Sequence, residues 1–198
     1  MVFSAEEIVI VGDGMCGKTS VLNVFLNNSY PLSYVPTVCE HHTCTMNIKG
    51  KEIGLSIWDT AVQEDFEVFR PLLYRKASVF IVMYSVDRPE SLENVYQKWV
   101  PEVKQYQPKA IILVATKSDL RHNPSAIARL SEDDLVPISR TEGEKMAAKI
   151  NAFSFTECSA LTKKGIKDIF KMAVHAGQVE KQKGPLRWLA RSWVTVLH

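Results

Sequence analysis

The chain has little excess charge, no paired-cysteine motif and no long apolar run. Its formal net charge of +2 is too small to make nucleic acid a general partner, and none is expected. The four cysteines, Cys16, Cys39, Cys44 and Cys158, show neither CxxC nor Cys/His metal spacing. The longest apolar stretches, "SVFIVMYSV" and "AIILVAT", fall well short of a membrane span. The opening "MVFSAEEIVIVG" carries two glutamates where a secretory leader would be basic. Neither an internal repeat nor a low-complexity tract is visible. These absences lead us to expect a cytoplasmic protein with reduced thiols.

What remains is ordinary globular material: 198 residues, 46% apolar and 23% charged, enough for one well-buried domain with a short tail. Short β-rich runs alternate with segments of helical period. "EIVIVG" (7–12), "SVFIVMYSV" (78–86), "AIILVAT" (110–116) and "AFSFTEC" (152–158) read as strands. "HTCTMNIKG" and "KEIGLSIWD" flank Gly50-Lys51, read as a hairpin turn. Helices are expected over 18–28, 91–106, 141–150 and 163–181. The stripe Leu92, Val95, Tyr96, Trp99, Val103 and Tyr106 sets the face of the second. Strands alternating with helices predict an α/β fold on a mostly parallel, six-stranded sheet with helices on both faces. We expect one domain over 5–180 and a basic tail over 181–198.

"GDGMCGKT" fits G-x-x-x-x-G-K-[ST] at Gly12, Gly17, Lys18 and Thr19, between a strand and a helix. Glycines let successive N–H groups turn inward around phosphates, where side chains would collide with them. The helix N-terminus adds partial positive charge. Lys18 is placed to reach the β- and γ-phosphates, and Thr19 to offer its hydroxyl to Mg²⁺. Two further segments, "TKSD" (116–119) and "ECSAL" (157–161), follow strands at the edge where open α/β sheets bind ligands.

With these in place the chain resembles a small GTPase of the Ras superfamily, most closely its Rho/Rac branch, over residues 7 to about 180. "GDGMCGKTS", "YVPTV", "WDTAVQED", "RPLLY", "KWVPEV", "TKSDLR" and "ECSAL" occur in family order and spacing. A stretch at about 121–137 resembles the Rho insert. The resemblance implies a P-loop fold that binds GTP and GDP with Mg²⁺ and hydrolyses GTP slowly. It implies phosphate contacts from Gly12, Asp13, Gly14, Met15, Cys16, Gly17, Lys18, Thr19 and Ser20. It implies base contacts from Tyr30, Thr116, Lys117, Asp119, Leu120, Ser159, Ala160 and Leu161, with Asp119 accepting from guanine N1–H and its exocyclic amine. Thr19 and Thr37 would bind Mg²⁺ directly, with Asp59 behind a water. Tyr34 would close over the phosphates, and Gln63 would orient the attacking water, with Lys18 and Thr37 its partners in catalysis. Effectors would read two segments, Tyr34–His42 and Thr60–Tyr74, and exchange and GTPase-activating factors would act on them.

Two positions depart from the family. Val62 stands where a glycine gives its N–H to the γ-phosphate. Valine keeps the N–H, yet its β-branch restricts φ/ψ and sets methyl groups beside that water. Three readings stay open: slowed hydrolysis, a largely GTP-bound protein, or incomplete closure of the segment. "CEHH" (39–42) lacks the two aromatics of the Rho pattern, which argues for a different effector set. His41, His42 and Cys44 offer no fourth metal ligand. Cys16 reads either as a redox-sensitive thiol or as a small buried residue.

Rho-like chains usually end in a prenylation box, whereas here no cysteine follows Cys158. From Lys181 onward there are four Lys/Arg and no Asp/Glu, with Leu186, Leu189, Trp193 and Leu197 on one helical face. That profile suits a basic amphipathic helix at an anionic membrane surface, a partner-binding helix, or a terminus packed on the domain. The first would place the protein at the cytoplasmic face of a membrane.

Overall fold

A computed structural model describes residues 5–31, 39–60 and 70–182. Six strands form one sheet in the order β2-β3-β1-β4-β5-β6: β1 (Glu6–Gly12), β2 (Cys39–Ile48), β3 (Lys51–Thr60), β4 (Val79–Ser85), β5 (Ala110–Thr116) and β6 (Ser154–Glu157). Every pairing is parallel except that of edge strand β2 with β3. The fold is therefore the α/β architecture expected, a mostly parallel six-stranded sheet with helices on both faces.

Alternation along the strands divides the core. On β1, Ile8 and Ile10 join Leu22, Ile81 and Ile112 on one face, under α1 (Lys18–Asn27) and α7 (Ile166–Gln182). Val9 and Val11 join Phe80, Val82, Trp99 and Leu113 on the other, with residues of α6 (Arg140–Ile150). Burial on both faces explains the continuous apolar runs of β1, β4 and β5. Each such side chain contributes about 1.5–3 kcal/mol. Four shorter helices are α2 (Arg70–Tyr74), α3 (Pro89–Asn94) with α4 (Val100–Lys104), and α5 (Pro124–Ser131) within the 121–137 stretch.

Two local readings need correction. The hairpin turn is Lys49-Gly50, with φ of 51° and 80°, and Lys51 already opens β3. Both turn residues being left-handed matches the twist of the strands, and Asn47 Oδ1 accepts from Gly50 N–H. The helix over 91–106 is also interrupted: a π-helical turn, Val95–Trp99, joins α3 to α4. One extra residue in that turn rotates the stripe. Tyr96 is consequently 46% exposed and carries the Lys149 ammonium 3.6 Å over its ring.

Candidate nucleotide site

Strands β1, β3, β4, β5 and β6 bring their C-terminal ends to one edge, and the motif loops meet there. β1 ends at Gly12, whose φ is +144°. A Cβ at Gly12 would run into the Met83 carbonyl and lie 3.2 Å from Cys16 Sγ. Only glycine lets the chain leave the sheet so close to β4. The loop then turns through Met15 (φ 60°) to Gly17 (φ 92°), which starts α1.

At this start α1 has no side-chain cap and no acid in its first turn. Its terminal N–H groups therefore face the loop, where an anion satisfies them. Lys18 is 7% exposed; its Nζ donates to the carbonyls of Gly12 and Asp13, each at 2.8 Å. The ammonium thus stands inside the loop. Cys16 is fully buried in the core, and burial pushes its thiol up. That geometry supports the small buried residue over the reactive thiol.

Thr19 and Asp59 meet across the sheet edge. Thr19 Oγ1 donates to Asp59 Oδ2 at 2.6 Å. Asp59 is wholly buried, and its Oδ1 has no donor among the described residues. Burial pushes its carboxyl above the usual carboxylate range, with the Thr19 bond and Lys18 opposing. A buried carboxylate with one orphan oxygen beside a hydroxyl fits Mg²⁺ and its waters, because oxygen donors suit that hard cation.

The base loop is fastened to the phosphate loop. Thr116 Oγ1 lies 2.5 Å from the Cys16 carbonyl and 2.9 Å from the Tyr84 carbonyl, within reach to donate its single proton to either. Lys117 takes a left-handed φ of 53°, and Ser118 N–H donates to the Cys158 carbonyl at 3.0 Å. Asp119 sits half-buried in the short 3₁₀ turn Ser118–His122. Ser159 is buried, with its N–H on the Lys164 carbonyl and its Oγ accepting from Thr162 N–H. The loops carrying "TKSD" and "ECSAL" therefore form one rim around the edge that holds Lys18.

Several candidates are less enclosed. Met15 is 62% exposed and Leu161 59%, so any contact from them runs through backbone. Tyr30 is exposed just beyond α1. Tyr34, Thr37, Val62 and Gln63 lie outside the described residues, as do most of the two effector segments and residues 183–198. On β2, His41 stacks on Trp58 with centroids 4.1 Å apart, and its Nε2 bonds Ser56 Oγ at 3.0 Å. His42 pairs instead with Glu40 at 3.1 Å. Consecutive strand residues face opposite sides, so the two histidines cannot share one ion.

The structure also brings in residues that motif reading missed. Asp13 accepts from Asn94 Nδ2 and from Trp99 Nε1, each at 2.7 Å, and Arg88 Nη1 donates to the Gly14 carbonyl at 3.1 Å. The π-helical turn sets Trp99 toward the phosphate loop. The one signal available was the indole N–H itself, which needs a partner once the ring is buried.

A glycine cradle at a helix start, a lysine within it, a hydroxyl–carboxylate pair and a TKSD loop define a P-loop nucleotide-binding protein of the small-GTPase class. The family model described as "Ras family" matches residues 7–178, and the chain belongs to the Ras family. It is accordingly a small GTPase, of a family that binds GTP and GDP, typically with Mg²⁺, and works through effectors, exchange factors and GTPase-activating proteins.

Proposed function

We propose that the chain is a Rho-type guanine-nucleotide switch with intrinsically slow hydrolysis, built as a G domain over 5–180 with a tail over 181–198. One observation carries the nucleotide chemistry: Thr19 and Asp59 meet beside Lys18, leaving a buried carboxylate oxygen with no donor among the described residues. The Rho assignment is supported by the order of seven motifs and by the 121–137 stretch.

Mg²⁺, bound through the hydroxyls of Thr19 and Thr37 with Asp59 behind a water, would neutralise charge on the β- and γ-phosphates. Lys18 and the N–H groups of residues 13–20 hold those phosphates against the start of α1. Asp119 accepts from guanine N1–H and the exocyclic amine, Lys117 lies along the base, and Ser159–Ala160 meets the guanine carbonyl. Gln63 orients a water in line with the γ-phosphorus. The water oxygen bonds to that phosphorus as the phosphorus–β-bridging oxygen bond breaks, and the water's protons go with the released phosphate, giving GDP and inorganic phosphate. Positioning and charge stabilisation carry nearly all of this chemistry.

Val62 favours a second reading. Its branched side chain beside the water that Gln63 holds would slow turnover until the protein is largely GTP-bound and signals without cycling. In either reading, effectors dock on Tyr34–His42 and Thr60–Tyr74. There "CEHH" presents Cys39 and His42 where Rho relatives carry aromatics, so the effector set differs. The basic face of 181–198 meets an anionic membrane, which places the protein in the cytoplasm and peripherally at that surface.

A single-turnover assay tests the catalytic reading. GTP-loaded protein should release phosphate as a first-order process, on the order of 10⁻⁴ s⁻¹ without an activating partner. Gln63→Ala should slow it at least about tenfold, the scale of a lost positioning contact. A rate indifferent to Gln63 would remove that residue from the mechanism.

A further inference from the structure

The loop after β4 fastens three regions of the chain together. Asp87 is 7% exposed, and its carboxylate holds three partners. Oδ1 accepts from the Ser85 hydroxyl and, at 3.3 Å, from the Lys117 ammonium. Oδ2 accepts from Arg129 Nη2 at 2.9 Å. Lys117 belongs to the base loop, whereas Arg129 sits on α5 in the 121–137 stretch.

The neighbours of Asp87 extend the junction. Val86 N–H donates to the Thr116 carbonyl at 3.2 Å, and the Val86 carbonyl accepts from Ile138 N–H at 2.9 Å. Arg88 reaches the Gly14 carbonyl. Three consecutive residues thus touch the base loop, the phosphate loop and the segment that follows α5. Burial raises the Asp87 carboxyl, but the Ser85 hydroxyl and the Lys117 and Arg129 cations outweigh it and hold it below the usual carboxylate range. The group is ionised at neutral pH, so it grips both cations.

We propose that Arg129 is a positioning residue for the bound guanine nucleotide: through Asp87 it fixes Lys117, so α5 sets how long the nucleotide stays. The inference rests on the reading of Lys117 and the phosphate loop as the nucleotide site. Its sign follows from the geometry. Each carboxylate oxygen has its own cation, and the charge-assisted bond to Arg129 stops the carboxylate from turning. Without it the anchor of Lys117 becomes mobile and the base loop loses order. Association, set mainly by diffusion and docking, should change little, so the effect appears in dissociation. Arg129 is mostly exposed, with 61% of its side chain accessible, so solvent screening keeps the effect modest.

The test loads the full chain with GDP carrying a fluorescent ribose label and chases it with excess GDP. Arg129→Ala should release the label about three- to tenfold faster with an unchanged association rate, while Arg129→Lys, which restores a cation, recovers most of the wild-type rate. Arg140→Ala provides the control, because Arg140 is also exposed but pairs with Glu144 and Glu157; it should leave release unchanged. Wild-type release from Arg129→Ala would overturn the proposal, and so would equal acceleration by Arg140→Ala. Failure of the nucleotide reading itself is separately visible, since the wild-type chain would then retain no labelled GDP.

Discussion

Replacing Asp119 with alanine should weaken GDP binding by about 2–4 kcal/mol, a roughly thirty- to thousandfold loss. Guanine presents two donors side by side, N1–H and the exocyclic amine, and a carboxylate matches both. In the proposed site Asp119 would meet them from a short turn whose ends are tied down: Leu120 N–H donates to the Lys117 carbonyl at 2.8 Å, and Ser118 N–H to the Cys158 carbonyl. Alanine removes both acceptors and leaves two donors of the base unsatisfied. Discrimination should collapse along with affinity. Inosine diphosphate lacks the exocyclic amine, so the wild-type chain should bind it more weakly than GDP. The alanine variant should bind the two alike. Competition against a fluorescent nucleotide measures both quantities, and a variant that still prefers GDP would place base recognition elsewhere.

Val62→Gly should raise the single-turnover rate of GTP hydrolysis at least about tenfold, or roughly 1.4 kcal/mol off the barrier. Valine retains the N–H that the γ-phosphate needs, so the difference lies in conformation and volume. Glycine opens backbone conformations that a β-branched residue reaches only with strain, and in the proposed site it would clear two methyl groups from beside the water. The gain should require Gln63, whose amide then orients the water without hindrance. Val62→Gly combined with Gln63→Ala should therefore hydrolyse no faster than Gln63→Ala alone. An unchanged rate in Val62→Gly would mean that valine is accommodated and the slow step lies elsewhere.

The sequence announced whatever its local chemistry enforces. β5 is legible residue for residue because a strand buried on both faces must be apolar throughout. The phosphate loop is legible because spacing, glycines, lysine and threonine answer to one ligand. The π-helical turn was not: Tyr96 fits an ideal helical stripe, and only one extra residue in the turn sends it outward. Lys49 hid the hairpin turn because lysine carries no preference for left-handed backbone. The longest silence concerns Asp13, Asn94 and Trp99, and Asp87 with Arg129. These partners lie 81, 86 and 42 residues apart, and apart from Asp13, named with the phosphate loop, each alone reads as an ordinary polar or core residue. Such contacts exist only once the sheet has brought β1, β4 and β5 side by side.

The most direct test of a guanine-nucleotide site is the content of the purified protein. Denaturing the chain and separating the supernatant by chromatography should yield close to one guanine nucleotide per protein. GDP would mark a chain that completes the hydrolytic cycle, and mostly GTP one that Val62 holds before it. Adenine nucleotide, or protein that emerges empty and binds none when GDP and Mg²⁺ are supplied, would contradict the account.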